Sequence, residues 1–306
     1  MTNYQQYHAA RPAKKKKVRK KSLLWQIIFW FALAVFLCSL TALGSIGYSY
    51  LKGQNLYKDV ASWGFIPPQD VSGNPKAELS LTDLSVDWDS LLEKNPDTVA
   101  WVYIPGTVIN YPVVQGRDNQ KYLTVDFLGG RGQVVTFGTI FLAAENKSDF
   151  SDPNNLIYGH HMQDGSMFAC LAGFANSAEF NTHRTVYVLT PAGNYRLTTF
   201  ALVISNGHDP LAQPRFSTNE EMVAYFQDKI DRNVAWIDSN PIQAADITKC
   251  FAFVTCDYTV NDGRAVLFAA VTESTVGTAS GTQNSGLDGL TIDDIMLIDE
   301  TEKELQ

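Results

Sequence analysis

The alternation of apolar and polar positions divides the chain into parts of very different character. Residues 23–51, LLWQIIFWFALAVFLCSLTALGSIGYSYL, contain no charged residue. That is long enough to cross a hydrocarbon layer of ~30 Å as a helix. Trp25, Trp30, Tyr48 and Tyr50 stand near its ends, where amphipathic rings favour the membrane interface. A cleavable leader would have a shorter apolar core, about 7–15 residues, so a retained anchor is the expectation. Residues 52–80 are polar, with Pro67, Pro68, Gly73 and Pro75, and read as an irregular stalk. From Leu81 the pattern tightens. DWDSLLEKN reads as a short helix, and eight runs rich in β-branched and aromatic residues follow: 99–104, 108–114, 133–142, 156–158, 185–190, 195–204, 249–255 and 264–272. Pro105-Gly106, Gly129-Gly130, Asp152-Pro153 and the 191–194 turn punctuate them. Eight strands in so short a span predict a mainly β fold, a closed or nearly closed eight-stranded barrel without exposed edges. One helix interrupts it between strands 6 and 7. Ser217 or Thr218 can cap it, Glu220 and Glu221 favour its N-terminus, and Met222, Tyr225, Phe226 and Ile230 space an apolar face. The expected division is a basic tail (1–22), an anchor (23–51), a stalk (52–80), a β domain (81–273) and a flexible, finally acidic tail (274–306).

Charge adds direction to this picture. Residues 1–22 carry eight basic residues and no acid, which leaves sixteen basic against 32 acidic residues in the rest of the chain. The basic run abuts the apolar span, so the positive-inside rule keeps it in the cytoplasm and exports the body. A body that acidic repels phosphate, and nucleic acid is excluded as a partner. Cys38, Cys170, Cys250 and Cys256 show neither the spacing of a zinc ribbon nor a disulfide framework.

Three positions carry candidate chemistry. Cys256 closes an apolar run in CFAFVTCDY, His160 follows a strand and a glycine in LIYGHHM, and Arg264 opens the next strand in NDGRAVLF. A thiol nucleophile needs a proton-transfer partner, and acyl transfer needs a donor where the oxyanion develops. Taken singly, each has an ordinary structural explanation. A cysteine in an apolar strand is usually a small buried hydrophobe, which is the reading for Cys250. His160 and His161 are adjacent, so on extended backbone they point to opposite faces and make a poor metal pair. His183 and His208 lack acidic or cysteine neighbours at ligand spacing.

Together the three residues change the reading. Thr255-Cys256 followed eight residues on by Arg264 resembles the TLxTC…R signature of the sortase family of cysteine transpeptidases. NLIYGHHMQDGSMF (155–168), NPDTVAWVYIPGTVINYPVVQGRDNQKYL (95–123) and GTIFL (138–142) are similar to class B sortases in particular, and the resemblance runs from about Val86 to Val271. Phe253-Val254-Thr255 stands where many members have Leu-x-Thr, a departure that leaves nucleophile and threonine in place. NPDTV at 95–99 has the look of an NPxT-type sorting signal, but no apolar segment and basic tail follow it; it reads as a turn.

The resemblance implies a mechanism. Cys256 would attack the threonine carbonyl of a C-terminal sorting signal and form a thioester. His160 would be the general acid and base, and Arg264 would hold the substrate backbone or oxyanion. Thr255 is a candidate substrate contact, and His161 is expected to be structural. No cofactor and no metal are implied. The acceptor amine would come from peptidoglycan precursor, or from a pilin lysine in a polymerase. A catalytically idle surface β-domain that binds a partner is the reading from another class.

Overall fold

The computed structural model describes residues 23–67, 78–132, 134–206, 213–239, 241–257 and 263–277. It opens with one unbroken helix, α1 (Leu23–Gly64), 42 residues long and apolar enough over its first half to cross a membrane. The expected stalk is therefore helical as far as Gly64. Its polar residues there are compatible with a helix, and Tyr57, Val60 and Gly64 recur at helical spacing and are buried. Of the remaining stalk, 68–77 lies outside the described residues, as do the basic tail and the chain beyond Gly277.

Helix α2 (Trp88–Lys94) is the short helix read from DWDSLLEKN, capped by Asp87, whose carboxylate accepts from Ser90 N. The NPDTV segment turns directly after it. Asn95 Oδ1 accepts from Asp97 N, Thr98 Oγ1 donates to the Asn95 carbonyl, and Asn95 Nδ2 donates to Phe127 O, which fixes a buried turn.

The body is a closed barrel of eight strands: β1 (Thr98–Tyr103), β2 (Asn110–Val114), β3 (Ile140–Leu142), β4 (Asn154–Tyr158), β5 (Thr185–Thr190), β6 (Gly193–Asn206), β7 (Cys250–Asp257) and β8 (Gly263–Ser274). Around the barrel they run β1-β2-β3-β4-β7-β8-β6-β5. Neighbours are antiparallel except β2 with β3 and β4 with β7, which are parallel. Trp101, Tyr187, Phe251, Phe253 and Leu267 are among the wholly buried side chains of the interior.

Most strand limits shift by one or two residues from the sequence reading, and two differences change the picture. The run 133–142 supplies only three strand residues, because Gly138 adopts φ 59° and ends the extended path before Ile140. Phe137 turns away and packs against α1 instead. At the other end β8 reaches Ser274, and Thr275 is bonded to Asn194 through both backbone and side chain, so the fold extends past 273.

Three short helices, α3 (Lys121–Thr124), α4 (Cys170–Gly173) and α5 (Ser177–Thr182), lie in the loops, and α6 (Asn219–Asp231) is the inserted helix between β6 and β7. Thr218 caps α6 by accepting from Glu221 N. Phe226 is buried from α6 against Phe200, with ring centroids 6.1 Å apart. This satellite core covers the outside of β6, β7 and β8, and stiffens the strands that carry Cys256 and Arg264.

Candidate active site

Strand register brings the three chemical positions into one row. In the parallel pair β4–β7, Tyr158 lies opposite Val254, and Gly159 N donates to Val254 O at 3.0 Å. His160 is two residues beyond Tyr158, as Cys256 is two beyond Val254. Across β7–β8, Cys256 is the direct partner of Arg264. Paired strands run about 4.8 Å apart, so positions 160, 256 and 264 cross one end of the barrel on successive chains. Only the fold joins residues separated by 96 positions in sequence.

Half-buried His160 is fixed from two sides. A carbonyl only accepts, so the 2.7 Å contact with Leu123 O makes Nε2 the protonated nitrogen and leaves Nδ1 for proton transfer. Its backbone carbonyl accepts from Phe168 N at 2.9 Å. The intervening loop closes on itself: Asp164 accepts from Ser166 N and Oγ, and Gly165 N donates to Met162 O. His161 forms an isolated bridge with Met167, whose amide donates to Tyr111 Oη. Gly138 makes the approach of His160 possible. A Cβ there would stand 2.5 Å from Tyr122 O and 3.0 Å from His160 Cδ2. Gly138→Ala is therefore expected to displace the imidazole and to cost about 1–2 kcal/mol from backbone handedness alone. A thermal melt beside a peptide-cleavage assay checks this, with the activity loss exceeding what reduced folding explains.

A cleft of about 390 Å³ opens beside the row, lined by Asn119, Leu123, Phe141, Tyr158, His160, Thr255 and Arg264 among others. Tyr158 stacks on Phe141 with centroids 5.3 Å apart. Burial raises the Tyr158 phenol, Glu145 raises it further, and the positive charge of Arg264 pulls it back. Asn119 is held by Glu145 and by Ala144 N. Half-buried Arg264 donates from Nη1 to Gly263 O at 2.9 Å. Thr255 is 2% exposed, and its hydroxyl has no hydrogen-bond partner among the described residues.

The other candidates lie elsewhere. Burial pushes the Cys170 thiol up to about 12 and the Cys250 thiol higher still, so both stay protonated. His183 is buried, stacked on Phe174 and bonded through Nδ1 to Pro105 O. His208 falls outside the described residues. Sequence reasoning did not find Leu123, Asn119, Phe141 or Tyr158. Leu123 acts through its carbonyl, which leaves no mark on residue type; Tyr158 could have been suspected from its place just before Gly159-His160.

No family model matches the chain. Among curated proteins, Sortase B of Listeria monocytogenes is 27% identical over 237 residues, covering 78% of this chain and 91% of the relative. Sortase B of Staphylococcus aureus is 28% identical over 153 residues, 50% of this chain and 62% of that protein's length. The crystal structure of Clostridium perfringens sortase B superposes with a TM-score of 0.55 at 28% identity, over 60% of this chain and 99% of that one. In sequence and in fold the chain is similar to class B sortases. Members of this family are cysteine transpeptidases. The closed eight-stranded barrel matches the sortase B structures, as the sequence resemblance implied.

Proposed function

We propose that this protein is a sortase, a membrane-anchored transpeptidase that cleaves a C-terminal, NPxT-like sorting signal after its threonine. It then joins the new carbonyl to an amine of peptidoglycan precursor. The observation that carries the reading is the row of His160, Cys256 and Arg264 on adjacent chains beside one cleft. The Cys256 thiolate attacks the threonine carbonyl, and the resulting oxyanion is met by Arg264. As the tetrahedral adduct collapses, the C–N bond breaks and His160 delivers a proton to the departing amine, leaving a thioester. The acceptor amine then attacks, His160 takes its proton, and the cysteine leaves as thiolate. Residues 23–51 hold the catalytic body, from residue 81 onward, outside the cell, with the basic tail in the cytoplasm. Proteins bearing the sorting signal and the acceptor are its partners.

The test is a panel of fluorogenic sorting peptides offered to the full chain in detergent, with glycine-type amines, lysine side-chain amines or water as acceptors. Thioester formation with transfer to the glycine-type amine supports wall anchoring. Transfer confined to lysine would make it a pilin polymerase, and absence of cleavage would leave the idle surface domain.

Arg264→Lys tests the oxyanion role. Lysine keeps the charge but lacks the planar fork of donors. Losing an oxyanion donor typically costs 10²–10³-fold, so acylation is expected to slow by about 10²-fold while the melt is unchanged. Burst-phase kinetics separate acylation from transfer.

A further inference from the structure

Contacts between α1 and the barrel descend in order along the helix. Gly64 lies against the Trp101 ring. Tyr57, one edge against the Tyr111 ring, donates its hydroxyl to the Gly138 carbonyl. Phe137 packs on Gly53 and on Tyr50, with centroids 5.9 Å apart in the second pair. From Tyr57 to Tyr50 the contacts thus pass from Gly138 back to Phe137. The next step is a cleft of about 400 Å³, with Ser45, Ser49 and Lys52 on the helix side and Asp126, Arg131 and Val134 on the barrel side.

That cleft falls at a defined depth. Counted from Leu23 at 1.5 Å per residue, about 20 residues fill the hydrocarbon layer, which ends near Leu43. Ser45 to Lys52 then pass through the headgroup layer and its outer edge. The turn facing them is tightly built. Val125 bridges Arg131, and Gly129 takes φ 85°. The Asp126 carboxylate accepts from Leu128 N at 3.0 Å and from Gly130 N at 2.8 Å. The negative charge is thereby committed to the turn's own amides. Leu128 and Val134 are held outward, 45% and 54% exposed. Lys52 and Arg131 are both exposed and make no ion pair among the described residues. Aliphatic side chains on a rigid turn, flanked by cations and continuous with a membrane helix, suit a bilayer surface. In a body with twice as many acidic as basic residues, two exposed cations at this level complement lipid phosphate.

We propose that the 126–132 turn, together with Val134, seats in the outer headgroup layer beside α1, with Leu128 and Val134 against the acyl boundary and Lys52 and Arg131 on the phosphate of an anionic phospholipid. The inference rests on the reading of α1 as an anchor. The turn is then a second membrane contact, and it fixes the rotation of the barrel about the helix.

The full chain in phosphatidylcholine nanodiscs, with and without phosphatidylglycerol, tests this. An environment-sensitive fluorescent amino acid replaces Leu128, Val134 or, as a control near the far end of α1, Leu92. Lipids brominated high on the acyl chain should quench the probes at 128 and 134 severalfold more than the probe at 92. Phosphatidylglycerol should deepen that quenching, and Lys52→Gln with Arg131→Gln should remove the added effect. Retention of the chain through an alkaline carbonate wash of matching vesicles, with no quenching at 128 or 134, would overturn the inference and leave the anchor intact. Release in the wash would overturn the anchor reading and the inference together. Quenching indifferent to phosphatidylglycerol and to both substitutions would overturn the role given to the two cations.

Discussion

Cys256→Ala is expected to abolish both peptide cleavage and transfer, down to the rate without enzyme. The other thiols offer no substitute. Cys250 is wholly buried in β7 and Cys170 sits beside the Tyr111 region, both with the thiolate disfavoured by desolvation. Cys38 lies within the apolar half of α1. Because Cys256 lies one residue before the end of β7 and pairs with Arg264 through the backbone, truncating its side chain leaves the ladder hydrogen bonds in place. The variant should therefore melt like the parent. The measurement is peptide turnover with mass spectrometry of the intact chain: the parent shows the acyl adduct and the variant does not. Turnover in a purified Cys256→Ala sample would end the transpeptidase reading.

His160→Ala should lower turnover by about 10²–10⁴-fold, the usual worth of a positioned general acid and base. His160→Gln is the sharper variant. Its amide can still donate to Leu123 O, so the local hydrogen bond survives while proton transfer does not. His161→Ala should cost far less, because the bridge of residue 161 to Met167 is made by backbone and survives truncation of the side chain. An inactive His161→Ala beside an active His160→Ala would reverse the assignment of the two histidines.

Much of this arrangement was legible in residue order. The strands from 185–190 onward were readable because long β-branched runs end at Gly, Pro and Asn, and β5 matches its predicted limits. The helix α6 announced itself through Thr218, its acidic first turn and the spacing of Phe226. The misread strand at 133–142 looked extended because Val134, Val135 and Thr136 favour strands, yet Gly138 in a left-handed conformation and the pull of Phe137 toward α1 outweigh that preference. The length of α1 was hidden for a different reason. The polar stretch from residue 52 reads as stalk, whereas Tyr57 and Val60 bury against the barrel and carry the helix through. At the site, side-chain chemistry named His160, Cys256 and Arg264. The Leu123 carbonyl that orients the imidazole is invisible in sequence because every residue type offers one.

The unbroken α1 also sets an altitude. A flexible stalk would let the catalytic cleft wander over a hemisphere, reaching peptides at any distance its length allows. Here Tyr57 of α1 donates to the Gly138 carbonyl, and Gly138 lies directly beside His160. With α1 spanning the bilayer as proposed, Tyr57 would stand about 20 Å beyond the hydrocarbon edge, counted from Leu43. Peptide and acceptor amine would then have to meet the cleft at that level, and their encounter would become a search in two dimensions. The length of the substrate's own spacer would thereby become a determinant of selectivity independent of the residues around the scissile bond.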